Sequence, residues 1–156
     1  MTDEAKKDPF DGEQLQGRHY PRANLTGAHF DGVNLTDAVF YAYMPGARFT
    51  DTNLKDAVID DVNLSAAGFH NVNLSGASIS FANLTKMRMK DVNLSAAGFE
   101  DVNMSGVTLH NINLSGVRIS DALLENAEIT QSNLAGMRIN GVLVSDLFAV
   151  YEAKQA

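Results

Sequence analysis

Two pairs of adjacent acids, Asp60 with Asp61 in "IDDVNL" and Glu100 with Asp101 in "FEDVNM", stand forty residues apart, and Asp51 and Asp91 keep the same interval. Asp121 follows Asp101 by twenty. Paired carboxylates can serve as general acid and base, or bind a hard cation through oxygen. His70 and His110 are also forty apart with Lys90 midway between them, and imidazole is a common metal ligand. Arg88, Arg118 and Arg138 supply fixed cations. Every one of these intervals is a multiple of ten, so the chemistry depends on the element that generates the interval.

That element is a five-residue period. Stepping in fives from Met44 through Phe49, Leu54, Ile59 and Leu64 to Val144 meets a large apolar residue at all 21 positions, in a chain of 156 residues that is only 45 % apolar. Two residues before each centre lies a smaller apolar column, Ala or Val at 16 of the 21 positions, with Thr52, Met87, Ile112, Ser132 and Met137 as exceptions. A helix repeats at 3.6 residues and a strand at two, so neither places every fifth residue on one side. A chain that turns a corner every five residues does. Four such units make a square coil of twenty residues, whose edges pair with the coils above and below at about 4.8 Å, as strands do in a sheet. This is solenoid logic, in which each unit covers its neighbours and the ends need caps.

The units read "ANLTG" at 23, "VNLTD" at 33, "TNLKD" at 52, "VNLSA" at 62, "VNLSG" at 72, "ANLTK" at 82, "INLSG" at 112 and "SNLAG" at 132. On these residues the chain resembles the pentapeptide-repeat family, with units of the form A(D/N)Lxx. The resemblance implies an all-β fold, a right-handed quadrilateral β-helix of about six to seven coils. The repeated "DVNLSAAGF" at 61–69 and 91–99 lies one and a half coils apart, on opposite faces, and reads as scaffold. The expected organisation is an irregular N-terminal cap over 1–20, the β-helix over 21–144 and a capping or dimerisation segment over 145–156. In that last segment Ser145 or Asp146 is expected to cap a short helix with Leu147, Val150 and Tyr151 on one side. Phe10, Leu15 and Tyr20 continue the spacing, but Glu13 and Arg18 stand in the small inward column. Phe40 to Met44 is a step of four; one residue is missing at a corner, with Pro45 and Gly46 as the turn chemistry.

Twenty residues per coil sorts the outward side chains into columns. Asn53, Asn73, Asn93, Asn113 and Asn133 form one and Asn63, Asn83 and Asn103 another, expected to be ladders of amides bonding one another and the backbone. Asp51 and Asp91 line one corner with Asn71, Asn111 and Gln131. Asp61, Asp101 and Asp121 line the opposite corner beside Asp60 and Glu100. Turns favour Asp and Asn, and a convex rod converges nothing on these acids, so they are read as turn residues and as a candidate acidic interaction face, with no catalytic residue and no cofactor. His70 and His110, two coils or about 10 Å apart, cannot share a metal whose ligands sit near 2 Å from it. The arginines are too sparse for a nucleic-acid stripe, and no exposed aromatics in series accompany them. Phe81 stands alone outward and needs no explanation as a single apolar residue. Leu123 and Leu143 replace Asn in an outward column, and with Leu147, Phe148 and Tyr151 form a candidate patch for homodimerisation through the C-terminal end, or are covered by the tail.

The chain has no cysteine, hence no disulfide and no thiolate, and its net charge of −7 disfavours nonspecific binding to nucleic acid or anionic membrane. The acids and lysines of "MTDEAKKDPF" do not form a signal peptide, and no segment approaches the roughly 18 apolar residues of a membrane span, so a cytoplasmic location is expected. The composition and the missing site together point to a noncatalytic interaction or scaffold protein. The resemblance adds a second expectation, since some family members are similar to B-form DNA in size and acidity and bind type II topoisomerases. It implies DNA gyrase or topoisomerase IV as partner, with inhibition or protection from quinolones as the effect. A rod near 30 Å long replaces DNA carrying close to 18 charges at one per 1.7 Å, against −7 here.

Overall fold

The computed structural model describes residues 14–155, so Phe10, Glu13 and most of the expected N-terminal cap lie outside the described residues. The strands run β1 (His19–Asn24), β2 (His29–Asp31), β3 (Val39–Tyr43), β4 (Arg48–Thr50), β5 (Val58–Asp60), β6 (Gly68–His70) and β7 (Ser78–Ser80). They continue through β8 (Arg88–Lys90), β9 (Gly98–Glu100), β10 (Thr108–His110), β11 (Arg118–Ser120), β12 (Glu128–Thr130), β13 (Arg138–Ile139) and β14 (Val142–Leu143) to the helix α1 (Val144–Ala153). The odd strands from β1 to β13 form one parallel sheet, extended by β14, and the even strands from β2 to β12 form the opposite one. Single bridges close the other two sides: Gln14 to Asn34, Asn53, Asn73, Asn93, Asn113 and Asn133 on one, Tyr43 to Asn63, Asn83, Asn103 and Leu123 on the other. The chain is thus a β-solenoid of about six turns.

The register reproduces the period. Ile59 pairs with Ile79 and Ile79 with Phe99, while Phe49, Phe69 and Met89 pair in the opposite sheet. Their side chains meet in the axis with the small column between them: Leu64, Leu74 and Leu84 are buried, as are Val62, Val72 and Ala82. The N-terminal half is filled by rings, with Tyr20 stacked on Phe40 at 4.8 Å, Phe30 on Phe49 at 4.7 Å and Phe49 on Phe69 at 4.6 Å. Thr52 is the polar exception, and its hydroxyl donates to the carbonyls of Thr50 and Phe30. No buried side-chain nitrogen or oxygen among the described residues lacks a partner.

Each corner costs one residue a left-handed conformation. Positive φ recurs every five residues from Asp51 through Asp56, Asp61, Ala66, Asn71 and Gly76 to Gln131 and Gly136, two places after each core centre. Gly, Asn and Asp enter this region most readily, which explains why the acids of the sequence concentrate here. The coil geometry also reaches back before residue 21. Leu15 N–H donates to Asn34 O and Gly17 N–H to Thr36 O, so residues 14–20 already pair with the next coil.

Two places in the pattern depart from the sequence-based expectation. The missing residue of the Phe40–Met44 step is the corner residue itself: Phe40 pairs with Ile59, Met44 N–H donates to Asn63 O, and on the preceding coil nothing stands opposite Asp61. The chain runs straight through that corner as β3, while Pro45 and Gly46 make the ordinary turn of the next one. At the C-terminus, Asn140 and Gly141 both take positive φ and reverse the chain, so β14 pairs antiparallel with β13, Arg138 opposite Leu143. Leu143 therefore leaves the column of Leu123. The helix begins at Val144 with Leu143 as its N-cap and no side-chain cap; Ser145 and Asp146 fall within its first turn instead of capping it, Asp146 favourably placed against the helix dipole.

Candidate functional site

The acidic corners are built from the turn residues. In the first column the acids alternate with amides from the neighbouring coils: Asn71 Nδ2 donates to Asp51 Oδ1 at 2.5 Å and Asn111 Nδ2 to Asp91 Oδ1 at 2.6 Å. Asp91 also faces His70 Nε2 at 3.5 Å and Lys90 Nζ at 4.0 Å. The Asn111 amide holds the Asp91 carboxyl below its ordinary value against the opposing effect of burial, with Lys90, His70 and His110 adding to the lowering. Asp60 accepts the Ser80 hydroxyl at 2.6 Å. In the opposite corner column the order is Asp61, Phe81, Asp101, Asp121, so only Asp101 and Asp121 are on successive coils. Among the described residues no group of three or more His, Asp or Glu is placed to hold a metal.

The histidines behave as the column reading requires. His70, Lys90 and His110 pair in register on one face, and His110 Nδ1 contacts the Thr130 hydroxyl at 3.1 Å. The asparagines of one side form a ladder: Asn73 donates to Asn53 at 3.1 Å, Asn93 to Asn73 at 3.3 Å and Asn113 to Asn93 at 3.1 Å. Their oxygens accept the N–H two residues on, as in Ser75 to Asn73 and Ser95 to Asn93. Amides used twice in this way are scaffold, fixing corner and stack together.

The C-terminal end has a different character. The β13 edge is covered by β14, but β12 ends its sheet with no strand beyond it, and Ile129 on it is 36 % exposed. Leu124 and Leu134, core centres in the last coil, are only partly buried. The helix does little to cover them, since Val144 is its one buried residue. Leu147 is 49 % exposed, Phe148 53 %, Val150 58 % and Tyr151 62 %. Of the residues expected there, Leu123 is exposed in the column of Asn103, and Leu143 is half-buried in the hairpin. Val142, Val150 and Ile129 join the exposed apolar set; the Asn140–Gly141 pair, a strong two-residue hairpin signal, was the feature that announced the reversal.

Phe81 is not alone. It lines a groove with Tyr41, Tyr43, Asp61 and Arg22, residues that the period scatters over 59 positions of sequence. In β3, Phe40 and Ala42 point into the core and Tyr41 and Tyr43 point out. The signal was the missing corner, because an uninterrupted strand alternates its side chains.

Among the described residues no helix is long and apolar enough to cross a membrane. A family model described as pentapeptide repeats matches residues 21–42 and 73–111 in eight copies. The chain is similar to a pentapeptide repeat protein of the cyanobacterium Cyanothece 51142, at 20 % identity over 81 % of this chain and 87 % of that one, with a TM-score of 0.30. It is also similar to full-length QnrB1, a plasmid-mediated fluoroquinolone resistance protein, at 16 % identity over 92 % and 97 % of the two chains and a TM-score of 0.28. A third likeness is to HetL of Nostoc sp. strain PCC 7120, a pentapeptide repeat protein involved in heterocyst differentiation regulation, at 17 % identity over 83 % and 91 % and a TM-score of 0.22. No curated protein sequence matches the chain significantly.

Proposed function

From its eight matched pentapeptide repeats, we propose that this chain is a noncatalytic interaction module that self-associates through its C-terminal end. The observation that carries the reading is the helix α1, which buries Val144 and leaves Leu147, Phe148, Val150 and Tyr151 about half exposed or more beside an unfinished last coil. A cap that protects a solenoid end turns its apolar side inward. This one presents it to solvent, where a contiguous apolar patch marks an interaction site. The β12 edge adds unpaired strand to the same end, and an isologous pairing of two identical ends would cover both at once.

The test is sedimentation of the chain and of the Leu147→Glu, Tyr151→Glu double variant. The reading expects a dimer that becomes a monomer with its far-ultraviolet circular dichroism unchanged, because both side chains are exposed and outside the core. A dimer that survives the double substitution would overturn it. A direct supercoiling assay addresses the topoisomerase partner that the family resemblance implies: inhibition or protection of gyrase would move the partner-binding surface to the acidic corners of Asp51, Asp91, Asp101 and Asp121.

A further inference from the structure

The deleted corner makes a notch. In the corner column Arg22 and Asp61 both have positive φ, at 52° and 49°, and the residue that would stand between them on the intervening coil is absent, because Ala23 pairs directly with Ala42 and Ala42 continues the strand from Tyr41. Arg22 and Asp61 therefore flank a gap one coil deep, floored by β3. The groove has a volume of about 540 Å³, within the usual range of small-ligand sites. Tyr41, 38 % exposed, and Tyr43, 52 % exposed, rise from its floor two residues apart, a separation of about 6.6 Å along an extended strand. Phe81 closes the far side.

Phe81 is informative on its own account. It occupies a left-handed corner at φ 48° and is 61 % exposed. An aromatic ring is an outlier there: the same column holds Asp61, Asp101 and Asp121 at its corners, and no other left-handed position among the described residues is aromatic. Neither its conformation nor its burial explains the ring. The groove does.

We propose that this notch binds the guanidinium of an arginine in a basic segment of a partner protein. Three aromatic side chains offer negative ring faces to a cation, and arginine, planar and weakly hydrated, stacks on such faces better than lysine does. A gap of about 6.6 Å between Tyr41 and Tyr43 admits one planar group at van der Waals distance from both. Asp61, which interacts with the Tyr41 hydroxyl, supplies a carboxylate, a group that accepts a guanidinium through two parallel N–H bonds. Asp60 lies next to it, Asp101 two coils further along the same column, and the chain as a whole is at −7, so the field favours a basic partner. Arg22 is the one opposing charge. It shares the groove lining and its charge acts on Tyr41, so it disfavours a second cation beside it and leaves the Asp61 end as the seat. The site is remote in sequence from α1, and its occupation does not depend on the C-terminal association.

The experiment is a two-dimensional NMR titration of the full chain with N-acetyl-arginine amide, with the neutral isostere N-acetyl-citrulline amide and with N-acetyl-lysine amide. Arginine is expected to shift Tyr41, Tyr43 and Phe81 ring resonances at millimolar concentration, lysine less, and citrulline not at all. Tyr43→Ala should weaken arginine binding by about three- to fivefold, the size of an exposed cation–π contact, and Asp61→Asn by about tenfold or more. Arg22→Ala should tighten it. Shifts of equal size with citrulline, shifts outside the groove, no shifts, or weaker binding by the Arg22→Ala variant would each overturn the proposal. The three substituted side chains are exposed and outside the core, and an unchanged amide spectrum of each variant confirms that it is folded.

Discussion

Leu143 pairs antiparallel with Arg138, and Arg138 Nη1 donates across the reversal to the carbonyl of Gly141 at 2.9 Å. This hairpin ends the solenoid on one side only. It covers β13, leaves β12 as an open edge, and launches α1 with its apolar residues uncovered. The end of the rod is therefore asymmetric by construction, and the proposed association follows from that asymmetry.

The core predicts its own sensitivity. Leu84 is fully buried in the middle of the stack, with coils on either side that cannot collapse without losing register. Leu84→Ala is expected to lower the unfolding free energy by about 2–5 kcal/mol, measured by urea denaturation. A loss under about 1 kcal/mol would mean that the axis is not close-packed there.

The corners predict a gain. Lys86 is exposed and sits at φ 57°, where a side chain is disfavoured by about 1–2 kcal/mol and glycine is not. The greater chain entropy of glycine offsets part of this, about 0.5–1 kcal/mol. Lys86→Gly should raise the unfolding midpoint slightly, whereas Gly76→Ala should lower it, since Gly76 has φ 69° and an added Cβ would collide with the Asp56 carboxylate. The reverse order of the two variants in thermal melts would contradict the corner assignment.

Asp91 carries a pH signature. Its carboxyl is held low chiefly by the Asn111 amide, so its contribution to stability is present above the ordinary Asp value of about 3.9 and is lost as the pH falls through its lower folded value. Asn111→Ala removes the main cause. Carbon-13 titration should then show the Asp91 carboxyl moving up toward its ordinary value, with stability lost at a higher pH than in the parent. An unmoved titration would place the cause elsewhere.

What the sequence revealed and what it hid divide along a physical line. The core centres and the amide ladder of Asn53, Asn73, Asn93 and Asn113 were legible because burial and stacking repeat at a fixed period, and Ile59, Ile79 and Phe99 sit where a step of twenty puts them. The second expected ladder, of Asn63, Asn83 and Asn103, instead uses its amide oxygens on the local corner. The missing corner residue was legible as a count between Phe40 and Met44. Its consequence was not, because the period places Phe81 two coils away from Tyr41 and Tyr43 and treats each outward residue separately. Only three-dimensional pairing brings them into one groove with Asp61. At the other end Val144 keeps the five-residue step and is buried, yet reaches its place through a reversal. Periodicity cannot distinguish a continued coil from a hairpin that returns an apolar residue to the same core; the Asn140–Gly141 dipeptide can.

The most direct test of the central claim is the solution mass of the unmodified chain, by light scattering across a dilution series. Association through the C-terminal end predicts twice the chain mass of 16.8 kDa, falling toward the single-chain value on dilution or on Tyr151→Glu substitution. A mass of one chain at every concentration would contradict it.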